Sequence, residues 1–121
     1  MPIAPRLDMQ NEPGLRIVRF AAPRIYDDTV VREVFDQLAA VVPSNAATAL
    51  VLDFSNVEMI SSSMLGKLIP LQRRVDAQQG HLRLCGMTST VRSVFRSTNL
   101  DRLFKIDRDV AESREALGIG I

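Results

Sequence analysis

Three consecutive hydroxyl side chains, Ser61-Ser62-Ser63, are the residues of this sequence best placed for regulatory chemistry. They follow the apolar run Ala49-Leu50-Val51-Leu52 after a short loop and open a segment with helical spacing of apolar residues. A helix N-terminus carries unpaired N–H groups and about half a positive charge, so it accommodates a serine cap or an added phosphate. Phosphorylation would change this surface from neutral to about −2, which predicts a switch in partner binding.

The other reactive side chains do not form a catalytic or metal-binding pattern. His81, the only histidine, has no cluster of ligand residues beside it, and we expect it at the surface. Cys85, the only cysteine, lies in an apolar run where we expect it to pack as a small hydrophobic residue. Asp53 ends a strand-like run and should accept hydrogen bonds there. Since glycine-rich phosphate loops and a Gly-x-Ser-x-Gly elbow are missing, we predict no enzyme activity, no metal and no cofactor.

Length and charge define the class of protein. The 121 residues predict one domain, 1–121, and 15 Lys+Arg against 14 Asp+Glu make a nucleic-acid partner a poor expectation. The sequence contains no apolar stretch of about 18 residues that could cross a membrane, and its first residues lack the apolar core of a signal peptide. A single cysteine fits a reducing compartment. We therefore predict a cytoplasmic protein that binds neither nucleic acid nor membrane.

The elements before the serine cluster can be assigned from turn signals and periodicity. Asn11-Glu12-Pro13-Gly14 predicts the turn of a hairpin whose first strand lies at a sheet edge. Asp27, Asp28 or Thr29 can cap a first helix, which Pro43-Ser44-Asn45 ends. The run from Ala49 to Phe54 is apolar on both faces apart from Asp53, which predicts a central strand.

The elements after the cluster alternate helix and strand. A helix is predicted from Ser62 to Gln79, interrupted at Pro70 and ended by Gly80 as a C-cap. The later elements are a strand over residues 81–85, a helix capped by Thr88 or Ser89, a strand over residues 103–106 and a helix opened by a capping box at Asp109-Val110-Ala111-Glu112. This order predicts an α/β fold: a mixed sheet with parallel central strands and about four packed helices.

Several segments in this order resemble the STAS domain, the domain of bacterial anti-sigma factor antagonists. The segments are Val51-Leu52-Asp53-Phe54-Ser55-Asn56-Val57, Ile60-Ser61-Ser62-Ser63-Met64-Leu65-Gly66, Gly80-His81-Leu82-Arg83-Leu84-Cys85-Gly86, Val91-Arg92-Ser93-Val94-Phe95 and Asn99-Leu100-Asp101-Arg102-Leu103-Phe104. The resemblance covers about residues 15 to 110, and its specificity comes from the ordered set of segments.

The resemblance implies a role for each residue of the serine cluster. The family's motif places its aspartate on Ser61, its phosphorylated serine on Ser62 and the next hydroxyl on Ser63. The two family glycines fall on Met64 and Gly66, and the family's acidic residue at the start of the first helix falls on Tyr26. This chain therefore lacks the acidic group before the phosphoacceptor, and we expect the bulky Met64 side chain at the surface where a partner docks.

The implied function is that of a regulatory protein that is not an enzyme. Unphosphorylated, such a protein binds a serine-kinase anti-sigma factor and frees the sigma factor; phosphorylation at Ser62 breaks the contact and a serine phosphatase restores it. The rim of the partner site would comprise Ser61, Ser63, Met64 and Lys67, with Asp27 and Asp28 opposite. Two alternatives remain open: a STAS scaffold or adaptor that is not phosphorylated, and a domain that holds a lipid or nucleotide in the groove beside the second helix.

Overall fold

The computed structural model describes residues 7–41 and 49–118. The elements are β1 (Leu7–Glu12), β2 (Leu15–Phe20), β3 (Arg24–Ile25), α1 (Asp28–Val41), β4 (Ala49–Asp53), β5 (Met59–Ile60), α2 (Ser62–Ala77), β6 (His81–Cys85), α3 (Ser89–Ser97), a 3-10 turn (Leu100–Arg102), β7 (Lys105–Asp107) and α4 (Val110–Ala116). The predicted alternation and the four helices are confirmed. The predicted end of the first helix at Pro43-Ser44-Asn45 lies outside the described residues.

Five strands form one mixed sheet in the order β1-β2-β4-β6-β7. The edge strand β1 pairs with β2 in an antiparallel hairpin, and all the other neighbours in this sheet are parallel. Gly14 closes the hairpin with a φ of 75°, a left-handed conformation that glycine adopts without steric cost. The predicted mixed sheet with parallel central strands is therefore confirmed.

Strand β4 is buried along its whole length because both faces of the sheet are covered around it. Helices α1, α2 and α3 pack on one face, where Leu50, Leu52 and Leu84 belong to the main core. A row of four phenylalanines runs through this core, with ring centroids 4.7, 6.1 and 6.0 Å apart, from Phe20 through Phe54 and Phe95 to Phe104. The helix starts that follow these strands are thereby held on a rigid base.

Helix α4 covers part of the opposite face, where Val110 and Leu117 pack on a second apolar cluster that includes Val51 and Cys85. Ser113 of α4 donates a buried hydrogen bond to the Asp107 carboxylate of β7 at 2.7 Å. Arg83 of β6 fixes this carboxylate by donating to both of its oxygens, at 2.6 and 2.8 Å. Arg114 adds a bidentate ion pair with Glu12 of β1. The last helix is thus tied to both edges of the sheet.

Three local features differ from the sequence-based expectations. The parallel pair formed by β3 and β5 was not predicted, since two-residue strands are too short to show a period. The last strand is Lys105–Asp107 and begins two residues later than predicted. At the end of α2 the left-handed residue is Gln79, with φ of 59°, while the Gly80 amide donates to the Val75 carbonyl at 3.0 Å. The helix therefore ends in a Schellman motif whose left-handed position is not a glycine.

Candidate functional site

The small sheet of β3 and β5 places the starts of α1 and α2 side by side. Its register pairs Arg24 with Met59 and Ile25 with Ile60. The ladder continues one residue further, because the Ser61 amide donates to the Ile25 carbonyl at 3.0 Å. Each strand leads into its helix within three residues. The residues that open the two helices therefore form one continuous surface at the carboxyl ends of the sheet strands, which we call the serine site: Tyr26, Asp27, Asp28, Met59, Ser61, Ser62 and Ser63.

Ser61 is the N-cap of α2, as its residue type predicts. Its backbone is extended, with φ −100° and ψ 163°, and its hydroxyl oxygen accepts a hydrogen bond from the Met64 amide at 3.2 Å. This bond satisfies one of the amides that the first turn leaves without a helical partner. Ser61 is only partly exposed. The Ser61 hydroxyl therefore serves as a helix cap, a role that the hydroxyls of Ser62 and Ser63 do not have.

Ser62 and Ser63 occupy the first two positions of α2, and both are exposed. Neither hydroxyl has a hydrogen-bond partner among the residues that the structure describes. The first turn of α2 contains no acidic residue, so the partial positive charge of the helix end is not neutralised within the helix. An anion attached to Ser62 would meet open solvent and a favourable helix field.

Backbone and side-chain hydrogen bonds define the conformation of the loop before the serine site. The Phe54 amide donates to the Cys85 carbonyl at 2.8 Å, and the Val57 amide donates to the Phe54 carbonyl at 2.9 Å. Asp53, which is buried, accepts from the Ser55 amide at 2.9 Å and from Arg19 at 3.2 Å. The hydrogen-bonding role predicted for Asp53 is confirmed, and it shapes the turn that leads to β5.

The start of α1 supplies the acidic side of the site. The Asp27 carbonyl accepts from the Val31 amide at 2.8 Å, and the Asp27 carboxylate accepts from the Thr29 amide at 2.8 Å. Asp27, one of the three residues predicted as possible caps, therefore caps α1, and Asp28 is the first helical residue. Both carboxylates are exposed beside the serines. An added phosphate at Ser62 would increase the negative charge already present at this end of the molecule.

Two large apolar side chains flank the serines at the surface. Tyr26 and Met59 are each half exposed, although their neighbours Ile25 and Ile60 are buried. They are two of only four large hydrophobic side chains found exposed in the described ranges. Nothing in the sequence indicated Met59, and Tyr26 was indicated only as the position of the family's acidic residue. The strand pairing that brings both side chains beside the serines was not predicted. Exposed aromatic and methionine side chains at one surface are typical of a protein-binding patch.

Met64 is not a surface residue, and the expectation that it lines the partner site was wrong. Its side chain is completely buried and belongs to the main core. The reason is helical geometry: Met64, Leu68, Leu71 and Val75 follow one another at intervals of four, three and four, so they share the face of α2 that is turned to the sheet. The family glycine position therefore carries a core side chain in this protein.

Lys67 is exposed on α2 one turn after Ser63, and it forms no ion pair among the described residues. His81 is exposed, as expected, but it lies with Gln72 and Asp76 around a different depression. Those residues follow Ser62 by ten and fourteen positions, which is about 15 to 21 Å along a helix. A Ser62–His81 catalytic pair is therefore excluded by distance.

Cys85 is buried, as predicted, and burial raises the pKa of its thiol to about 12. The group stays protonated and unreactive at neutral pH. Within residues 7–41 and 49–118, no group of three or more His, Cys, Asp or Glu side chains is arranged to hold a metal ion. Over the same residues, none of the helices has the length and apolar character needed to span a membrane.

Comparison with known proteins identifies relatives of this fold. The family model of the STAS domain matches residues 6–113. The structure of an anti-sigma-factor antagonist (STAS) domain protein from Planctomyces limnophilus is similar with a TM-score of 0.82 at 19% identity, over 92% of this chain and 96% of that one. An anti-sigma factor antagonist from Mycobacterium paratuberculosis gives 0.77 at 21% identity, over 93% and 92% of the two chains. The antagonist SpoIIAA in its unphosphorylated form gives 0.74 at 18% identity, over 95% and 99%. No curated protein sequence matches.

Proposed function

We propose that this chain, which belongs to the STAS domain family, is an anti-sigma factor antagonist that binds a serine-kinase anti-sigma factor and is released by phosphorylation of Ser62. The observation that carries the proposal is the exposed Ser62 hydroxyl at the first position of α2, within a surface of exposed apolar and acidic side chains. In this role the protein is not an enzyme. It is the substrate of its kinase partner and of a serine phosphatase.

The surface around Ser62 has the composition of a protein-binding site. Tyr26 and Met59 supply apolar anchors, while Asp27, Asp28 and Lys67 supply charges for orientation. Ser61 and Ser63 complete the rim, with Ser61 held in its capping bond. A kinase that docks here would meet the Ser62 hydroxyl without any rearrangement of the fold. Binding and phosphorylation are thereby combined at one surface.

Phosphorylation would weaken binding through local electrostatics. A phosphoserine carries about −1.5 to −2 charges at neutral pH, and these would lie in an interface that must be desolvated. The same charge is compatible with the free protein, because the positive end of α2 stabilises it and Ser62 makes no contact in the core. The modification therefore changes docking and leaves folding unaffected.

The direct test is phosphorylation by candidate serine-kinase anti-sigma factors with ATP, followed by intact-mass measurement and peptide mapping. We expect the mass of one phosphate to be added to the native chain and to Ser63→Ala, and none to be added to Ser62→Ala. Ser63 is the matched control because it is the adjacent exposed hydroxyl on the same helix turn. A phosphorylated Ser62→Ala variant would refute the assignment of Ser62. A serine phosphatase should return the modified chain to its original mass.

A scaffold or adaptor that is not phosphorylated is the second candidate. It is favoured by one observation: Ser61 occupies the position of the family's aspartate, and the first turn of α2 has no acidic residue to replace it. This candidate predicts that the anti-sigma factor binds the chain and its mass stays unchanged with ATP. The same incubation therefore separates the two functions. A bound lipid or nucleotide, the third alternative, would be seen as added mass in native mass spectrometry of freshly purified protein.

A further inference from the structure

A groove between α1 and α2 lies outside the serine site. It has a volume of about 300 Å³, and its floor and walls are mostly apolar. Helix α1 contributes Phe35, Leu38 and Ala39, and helix α2 contributes Pro70 and Leu71. Phe35 is only partly buried, and Ala39 and Pro70 are exposed. The two helices therefore leave an apolar strip open to solvent along their line of contact.

Two cations border this apolar strip. Lys67 and Arg74 complete the lining of the groove, and both are exposed. Neither forms an ion pair with any residue in the described ranges. Their separation of seven residues corresponds to two helical turns, or about 10.5 Å, along one face of α2. The groove thus presents an apolar centre with an unpaired positive charge toward each end.

We propose that this groove binds an acidic amphipathic helix of a partner protein. Such a helix would lay its apolar residues against the accessible parts of Phe35, Ala39 and Pro70. It would direct acidic residues, two turns apart, to Lys67 and Arg74. A compact anion offers a single charge to two cationic side chains that branch from backbone positions about 10.5 Å apart along the helix axis. A helix carries side chains at i and i+7 with the same spacing on one face, which makes it the matching occupant.

The inference does not depend on the function proposed for Ser62. Arg74 follows Ser62 by twelve residues, which is about 18 Å along the helix axis. Lys67 borders both surfaces, whereas Arg74 and Ala39 line only the groove, so substitutions at these two residues separate the two proposals. Substitutions at Arg74 test the groove without changing any residue that we place in the serine site.

The test uses the full chain and a fluorescently labelled designed peptide of about four helical turns. One face of the peptide carries leucine at helical spacing flanked by glutamates at i and i+7; a control peptide carries lysine in place of each glutamate. Fluorescence anisotropy should show binding of the acidic peptide and none of the basic one. Arg74→Glu should weaken binding about tenfold, whereas Arg73→Glu, an exposed neighbour that does not line the groove, should leave it within about twofold.

A second variant tests the apolar part of the site. Ala39 is an exposed residue of the groove wall, so Ala39→Phe should fill the groove without opening the core, and it should weaken peptide binding with no change of charge. Equal binding of the two peptides, or equal effects of Arg73→Glu and Arg74→Glu, would overturn the proposal. Binding of dodecanoate in the groove, together with no binding of the acidic peptide, would overturn it in favour of a small amphiphile.

Discussion

Two methionines five residues apart test how the serine site is built. Met64 is completely buried in the main core, whereas Met59 is half exposed beside Ser61. Their replacement by alanine should therefore have opposite consequences, although both remove the same atoms. We expect Met64→Ala to destabilise the fold and Met59→Ala to weaken only partner binding.

The magnitude follows from the burial of Met64. Alanine removes three buried side-chain atoms, which is roughly 2.4 kcal/mol of lost transfer free energy at about 0.8 kcal/mol each. The cavity left between α2 and the sheet adds to this, so the free energy of unfolding should fall by about 2–5 kcal/mol. Met59→Ala should change it by less than about 0.5 kcal/mol, since an exposed side chain leaves no cavity.

Urea denaturation measures both effects, provided that the m-value is unchanged, so that a shift in midpoint reports stability alone. In a binding assay with a candidate serine-kinase anti-sigma factor, Met59→Ala should cost about 1 kcal/mol, as is usual for an apolar anchor of an interface. Folded Met64→Ala should bind as the native chain does. A Met64→Ala loss below about 1 kcal/mol, or equal losses for the two variants, would refute this reasoning.

Three further predictions concern residues that stabilise the fold. Arg83 donates two hydrogen bonds to Asp107 and holds the pKa of that carboxyl below its usual 3.8, so this group stabilises the fold above about pH 4 and the contribution is lost as pH falls through the lowered value. Asp107→Asn should therefore be less stable than the native chain at neutral pH, and this difference, measured by urea midpoints, should become smaller as the pH is lowered. A difference that does not depend on pH would contradict a stabilising role for the ionised carboxylate. Gln79→Gly should stabilise the protein by about 0.5–1 kcal/mol, because Gln79 has a left-handed backbone conformation that glycine adopts at lower cost. Gln78→Gly, at φ −93°, should not stabilise it, and equal thermal midpoints of the two variants would contradict this reasoning. Gly86→Ala should cost about 2 kcal/mol in thermal unfolding, because its Cβ would lie 2.5 Å from the Asp53 carboxylate at a φ of +73°, and a neutral result would show that this turn adapts freely.

Most of the fold could be predicted from the sequence where the determining interaction is local. Ser61, Thr88 and Asp109 cap their helices with a side-chain bond to an amide three residues later, so residue type and position were sufficient. Strand β4 was recognisable because a strand buried on both faces has no alternation of polarity. These signals depend only on residues that are close in sequence.

The remaining features depend on contacts between distant segments. The β3–β5 pair joins residues 35 positions apart, and it places Tyr26 and Met59 beside the serines. The groove between α1 and α2 depends on how two helices pack together, which no local pattern reports. Met64 is different, since its spacing to Leu68, Leu71 and Val75 was readable as a core stripe. At this position the family motif and the helical period make opposite predictions, and the structure agrees with the helical period.

The measurement that tests the central claim most directly compares the binding of a candidate serine-kinase anti-sigma factor to Ser62→Asp and to Ser89→Asp. Each aspartate would occupy the first position of an α-helix behind a hydroxyl cap, so both variants gain the same charge in the same helical setting. We expect both to keep or slightly raise the thermal midpoint, because each negative charge lies at a helix N-terminus. Ser62→Asp alone should weaken binding by about 1–3 kcal/mol. Equal affinity of the two variants, or unfolding of Ser62→Asp, would contradict a switch at this serine.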